Sequence, residues 1–220
     1  LFHFKGVFVM SHRALCAVVL GSFVLAGCGS EQPAPAAPAA APAAAAPAAA
    51  DAFMARIAQH CGQAFAGRVV VNTPPSPNDA FAGKDLIMHV RECQEGELKV
   101  PFHVGDDRSR TWVLTRTASG VRLKHDHRHE DGTSDDSTMY GGDTTSPGTE
   151  IRQEFPVDDY SIKMFASRNN AGSQTNTWAM EIEPGKRFLY ELRRPSGRLF
   201  QVEFDLTKPV ATPPAPWGHK

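Results

Sequence analysis

The chain has 220 residues, with 23 Lys and Arg against 24 Asp and Glu, 41% hydrophobic residues and a formal net charge of −1. That length accommodates one domain with its own core plus flanking segments. The balanced charge forms no basic stripe, which leaves nucleic-acid binding without an electrostatic footprint, so no nucleic-acid partner is expected.

Residues 10–28 read MSHRALCAVVLGSFVLAGC. A short polar start carrying His12 and Arg13 precedes an apolar run too short for a comfortable transmembrane helix, ending in small residues as a cleavable signal does. A start at Met10 would give the more typical signal length. Leu25-Ala26-Gly27-Cys28 resembles the lipobox of bacterial lipoproteins. The resemblance implies a signal peptide over residues 1–27, cleavage before Cys28, and acylation of Cys28 by palmitate and related chains. Gly29 is not the aspartate that retains such proteins at the inner membrane, so the implied address is the outer membrane, facing the periplasm. The expected membrane partner is engaged through that lipid anchor. Cys28 and an Ala/Pro tether then occupy residues 28–50. Repeated Pro removes amide donors and clashes with the preceding turn, which keeps PAPAAPAAAPAAAAPAAA from forming one helix. About twenty such residues at roughly 3 Å each span about 40–60 Å.

Residues 51–208 form the expected β-rich periplasmic domain, with 20 Lys and Arg against 23 Asp and Glu. Cys16 leaves with the signal and Cys28 takes lipid, leaving Cys61 and Cys93, and two cysteines in an exported domain usually pair. A reactive or metal-binding pair is the alternative, although no CxxC spacing supports it.

In chain order, Phe53, Ile57, Cys61 and Phe65 recur every fourth residue and predict a helix over 51–66, capped by Asp51 and stopped at Gly67. AFAGR at Ala64 and AFAGK at Ala80 read as two similar entries into strands. DLIMHVREC and ELKVPFHVG flank the turn Gln94-Glu95-Gly96, and SRTWVLTRT and VRLKHDHRHE flank Ala118-Ser119-Gly120. EIRQEF follows Ser146-Pro147-Gly148. A short helix is expected in PVDDYSIKMF, with Asp158 as its cap. TWAMEIE, KRFLYELR and RLFQVEFDL end the domain. A type I turn with a glycine bulge at Arg194-Pro195-Ser196-Gly197 sets Arg194 opposite Arg198, Leu192 by Phe200, Tyr190 by Val202 and Phe188 by Phe204. The Pro-rich tail, 209–220, is expected to be disordered.

The predicted class is all-β: an antiparallel meander of about nine or ten strands, closed as a barrel or strongly curved sheet, with an N-terminal helix. The helix-plus-meander order is similar in architecture to lipocalin-like barrels, though Gly67-Arg68-Val69 replaces their Gly-x-Trp signature. VGDDRSRTW, LKHDHRHEDG and YGGDT also make the domain resemble a group of exported proteobacterial proteins without assigned activity.

The densest chemical signal is VRLKHDHRHEDG, residues 121–132. Alternation places His125, His127 and His129 on one strand face, in the row of Val121 and Leu123. Asp131-Gly132 predicts a two-residue hairpin that puts Ser134 opposite His129, Asp136 opposite His127, Thr138 opposite His125, and Arg128 beside Asp135. The next turn pairs Asp143 with Arg152. Imidazoles plus a carboxylate suit a divalent transition metal, so His125, His127, His129 and Asp136 are the candidate ligands. A solvated hairpin tip or a polar patch inside the barrel is the competing reading and the favoured one. GDDRSR reads as a tip with local ion pairs, or as an anion site at Arg108 and Arg110. His60, His89 and His103 read as structural, and Trp112 and Trp178 as core. No Walker loop, dinucleotide fingerprint or nucleophile elbow occurs, so catalysis has no positive signal. The leading expectation is an envelope lipoprotein whose domain binds a small ligand or a protein partner. The alternatives are a metalloprotein or metalloenzyme built on the histidine ladder, and a structural or interaction module of the envelope.

Overall fold

The computed structural model describes residues 46–75 and 79–219. The described residues all lie within one compact unit, 42–220. The signal segment, Cys28 and most of the tether lie outside the described residues. Among those described, no helix is long and apolar enough to cross a membrane.

Helix α1 spans Ala46–Ala58, not 51–66. It begins inside the stretch assigned to the tether, because a proline is tolerated in a first turn and the alanines after it are strong helix formers. Ala50, Phe53, Met54 and Ile57 form its buried stripe. The expected continuation fails after Ala58. His60 and Cys61 close tight turns onto the carbonyls of Ile57 and Ala58, at 3.0 Å each, and Gly62 takes a φ of +82°. The β-branched run Val69-Val70-Val71 then wins the segment for a strand, β1 (Ala64–Thr73). Gly67 is therefore no helix stop. It lies under the Phe204 ring, which a Cβ would approach to 2.5 Å.

The remaining strands are β2 (Leu86–His89), β3 (Glu92–Gln94), β4 (Glu97–Val104), β5 (Asp107–Arg116), β6 (Val121–His127), β7 (Tyr140–Asp143), β8 (Arg152–Pro156), β9 (Thr177–Glu183), β10 (Arg187–Arg193) and β11 (Leu199–Val210). They form one antiparallel sheet in the order β7-β6-β5-β4-β2-β1-β11-β10-β9-β8, with β3 also paired to β4. The sheet curls into a nearly closed ten-strand barrel. DLIMHVREC is broken: β2 and β3 pair successive parts of β4. The second AFAGK segment is a turn, whose Phe81 packs 4.8 Å from Phe200 between ring centroids. The C-terminal hairpin has the predicted register, with Phe188, Tyr190 and Leu192 facing Phe204, Val202 and Phe200. Arg194 bonds the Arg198 carbonyl at 2.9 Å.

Inward rows fill the lower barrel with large rings, including Trp112, Phe102, Phe188 and Phe204, all within 2% exposure. Helix α1 caps this end. Its Asp51 reaches Arg116 at the end of β5 at 2.5 Å, and its Arg56 reaches Glu150 before β8 at 2.7 Å. Cys61, in the turn after α1, is bonded to Cys93 on β3 across 32 residues. Closing a loop of that length contributes about 3–4 kcal/mol on the chain-entropy account.

The seam lies between β7 and β8, which share no strand ladder. The expected Asp143–Arg152 pair is not made. Asp143 instead takes a two-pronged contact from Arg122 at 2.6 and 2.9 Å, while Arg152 joins Glu154, Glu181 and Glu191 on the outer face of β8–β10. The two strands nonetheless come close: a Cβ on Gly142 would lie 1.7 Å from the Pro156 carbonyl oxygen, and the Asp158 amide bonds the Gly141 carbonyl at 2.9 Å. Helix α2 (Asp159–Ser167) seals the seam, and Asp158 caps it as expected by accepting from the Ser161 amide at 2.9 Å. The Ser161 hydroxyl accepts from the Gly141 amide at 2.8 Å. Lys124 on β6 pairs with Asp158.

The tail is ordered against the barrel. Strand β11 runs to Val210, the Trp217 amide bonds the Arg108 carbonyl at 3.0 Å, and Arg108 bonds the Ala215 carbonyl at 3.1 Å. His219 reaches Asp126 on the outside of β6 at 3.2 Å. Outward residues of β4–β6 that would otherwise meet water, Pro101, His103, Thr111 and Asp126, are buried. This docking is what Pro-rich composition could not show.

Candidate functional site at the barrel mouth

At the end opposite α1, the inward rows change character. Strand β5 ends its row in Arg110, β6 in His127 and β10 in Arg194, where each row had carried apolar residues. After α2, a 3-10 turn over Ala171–Thr175 lies beside the ends of β9 and β10. His127 and Arg194, with this turn and the end of α2, line a cavity of about 350 Å³. Trp178, Tyr190, Tyr140 and Phe165 supply ring surfaces; His127, Ser137, Asn170, Ser173, Asn176, Arg168 and Arg194 supply polar edges. That size is at the small end of ligand pockets, and the mixture of rings with a few polar groups is typical of them. A larger cleft of about 590 Å³ runs between the start of α1 and residues 147–150, lined by Ala48, Ala49 and Ala52 on one side and Pro147, Gly148, Thr149 and Glu150 on the other. Its charged group, Glu150, is already paired with Arg56. It offers no convergent chemistry.

The histidine ladder is split among three environments. His125 faces inward with Leu123, as alternation requires. Its Nδ1 sits 3.1 Å from the Tyr140 carbonyl oxygen, which can only accept, so Nδ1 carries the proton. Nε2 then accepts from the Tyr190 hydroxyl at 2.9 Å. Burial, with His127 beside it, pushes the imidazole down to about 3. Both nitrogens are therefore engaged in the neutral ring. His127 lies at the cavity, its Nε2 3.1 Å from the Tyr140 hydroxyl, and burial and the Arg110 charge lower it to about 4. His129 is at the exposed tip, 3.9 Å from Asp135. Asp136 projects into solvent, 88% exposed, and meets Arg168 at 3.2 Å.

The hairpin register explains this dispersal. At the tip Arg128 bridges Ser134 rather than Asp135. Nearer the barrel His125 pairs with Tyr140, not Thr138. The return strand therefore uses the residues from 135 to 139 where β6 uses two. The bulge is held by side chains. Asp135 accepts from the Ser137 amide at 2.5 Å, Thr138 Oγ1 accepts from the His127 amide at 2.8 Å, and Met139 adopts φ +57°. Such local side-chain bonds compete directly with ladder pairing. They carry Asp136 away from the histidines and bring Tyr140 to them. The four expected ligands are not brought together, and no three His, Cys, Asp or Glu among the described residues are grouped as a metal site.

The expected Arg108/Arg110 pair also separates, one to each face of β5. Arg108 holds the tail outside, while Arg110 turns into the mouth and pairs with Asp107 at 2.5 Å. Trp112 and Trp178 are core residues as expected, and Trp178 also floors the cavity. Sequence reasoning missed Tyr190, Arg168 and Arg194. A signal for Arg194 existed: it continues the inward alternation Phe188, Tyr190, Leu192 with a charge, which a filled barrel end would not accept.

At the mouth the Tyr140 hydroxyl lies beside the His127 imidazole, and both are held in their uncharged forms. Tyr140 is raised to about 12 by burial, Tyr190 is raised well above its usual value for the same reason, and the two inner histidines are neutral. The fold and site thus define a β-barrel domain of lipocalin-like shape, capped at one end and compatible with ligand binding at the other. Beyond that class, no protein-family model, curated protein or solved structure matches the chain.

Proposed function

We propose that this protein is an outer-membrane lipoprotein, anchored through Cys28, whose periplasmic barrel binds a small ligand at its mouth. The observation that carries the reading is the contrast along the inward rows, which are apolar and filled as far as Trp112 and Phe188 and then open into a cavity edged by Arg, Asn, Ser and His. The lipobox residues support the anchor.

Protein-observed NMR with a panel of small organic molecules tests the binding reading. Perturbed resonances should cluster at the Trp178 indole, Tyr190 and Ser173, and Ser137→Trp, which fills the cavity, should abolish them. Absence of any response, or responses centred on the α1 cleft, would refute it. Acyl labelling of the full chain against Cys28→Ser tests the anchor separately.

The filled lower barrel also favours a second reading, a structural or interaction module of the envelope. That reading expects Ser137→Trp to have no effect on any binding.

A further inference from the structure

We propose that the mouth selects a small organic anion, with its carboxylate or phosphate oxygens held by Arg194 and Arg168 and its apolar body laid on Trp178 and Tyr190. This rests on the mouth being the binding site and names the chemistry it takes.

Arg194 is the centre of the argument. Its Nε donates to Asn176 Oδ1 at 2.7 Å and its Nη2 to Ser173 Oγ at 3.1 Å. A guanidinium has five N–H donors, so three remain for a ligand, including both on Nη1. Both anchors are neutral, and among the described residues no carboxylate pairs with Arg194. Burial and the nearby Arg198 charge lower its pKa, which means the cation lacks compensation where it stands. Its position is built rather than incidental: a Cβ on Gly172 would come within 2.9 Å of Nη1. An oxyanion would supply the missing counter-charge through the paired geometry that guanidinium favours.

The other charges at the mouth agree in sign. Among the described residues Arg168 pairs only with Asp136, which is largely in water, and such pairs hold weakly. A ligand oxyanion can displace that contact. Arg110 is matched by Asp107, and His127, Tyr140 and Tyr190 are uncharged at neutral pH. The uncompensated charge lining the cavity is therefore positive. A cation would meet repulsion, and a neutral molecule would leave Arg194 both desolvated and unpaired. Trp178 and Tyr190, which both line the cavity, provide faces for an apolar or aromatic body. The cavity volume restricts that body to about one or two rings.

The test titrates the full chain with benzoate, phenyl phosphate and the uncharged isostere benzamide, following tryptophan fluorescence and the Trp178 indole resonance. The expected result is that at least one anion binds ten or more times tighter than benzamide. Arg194→Gln should remove at least tenfold of that affinity and Arg194→Lys less, with thermal unfolding confirming that both fold. Whichever anion binds tighter identifies the head group, carboxylate or phosphate. If benzamide and benzoate bind equally and both are lost in Ser137→Trp, the mouth is a ligand site but the anion proposal is overturned. Anion binding unchanged in Arg194→Gln overturns it as well. No binding by any probe overturns it together with the reading on which it rests.

Discussion

The two ends of the barrel are made from the same strands and solve opposite problems. At the capped end, α1 lays Phe53 and Ile57 onto the inward rows, and the space is filled mostly by apolar side chains, with the buried Gln153 amide held by the Pro147 and Thr149 carbonyls. At the mouth, the same rows end in Arg110, His127 and Arg194, and the space is left partly open. The capped end gains stability from area removed from water, at about 25 cal/mol per Å². The mouth instead carries desolvated polar groups held by specific partners, which is costly unless a bound molecule is part of the design. Stability is thus concentrated at one end and recognition at the other.

This division predicts unequal responses to perturbation. The largest concerns the capped end: Phe53 is fully buried, so Phe53→Ala should cost about 3–5 kcal/mol in chemical denaturation. The loss should be similar at pH 7 and pH 5, because the truncation removes apolar contact and no ionisable group. A loss below about 1 kcal/mol would mean that α1 is not the cap.

Next comes acid, which should act on the polar side of the barrel. Burial holds His125 down to about 3 and His127 and His103 down to about 4. In the unfolded chain these groups titrate near 6.5. Below that value the unfolded chain takes up protons that the folded one refuses, so stability is fully present above about pH 6.5 and falls as pH drops toward the folded values. Each such histidine should contribute about 1.4 kcal/mol per pH unit, or roughly 2 kcal/mol between pH 6.5 and 5. The carboxylates with lowered pKa, such as Asp107 and Asp158, contribute mainly below that window. Denaturation at pH 7, 6 and 5 should show this slope, and His125→Gln should make it shallower; a flat profile would place these imidazoles in water.

The smallest effect should come from the rim. Arg168→Ala removes an exposed pair with Asp136 and should change stability by no more than about 0.5 kcal/mol. A loss of 2 kcal/mol would give the rim a structural role and blur the contrast between the two ends.

The sequence by itself determined a good deal. Alternation is a local property, so the inward rows of β4, β6, β10 and β11 were legible. Turn chemistry is equally local, and the Arg194–Gly197 turn set the whole register of β10 on β11. The expectation of an exported domain holding just Cys61 and Cys93 sufficed to predict their bond. Only the tertiary structure decided the rest. Helix α1 ended at Ala58 because Phe65 was needed in the barrel wall, although a four-residue spacing ran straight through it. The tail docked because an outward face of β4–β6 was available to bury it. Above all, Asp131-Gly132 set the hairpin tip but not its body. There Asp135 and Thr138 bonded main-chain amides and bulged the return strand, moving Asp136 into water and Tyr140 against His125. A bulge depends on which backbone groups find side-chain partners across a sheet, and one strand's alternation carries no record of that.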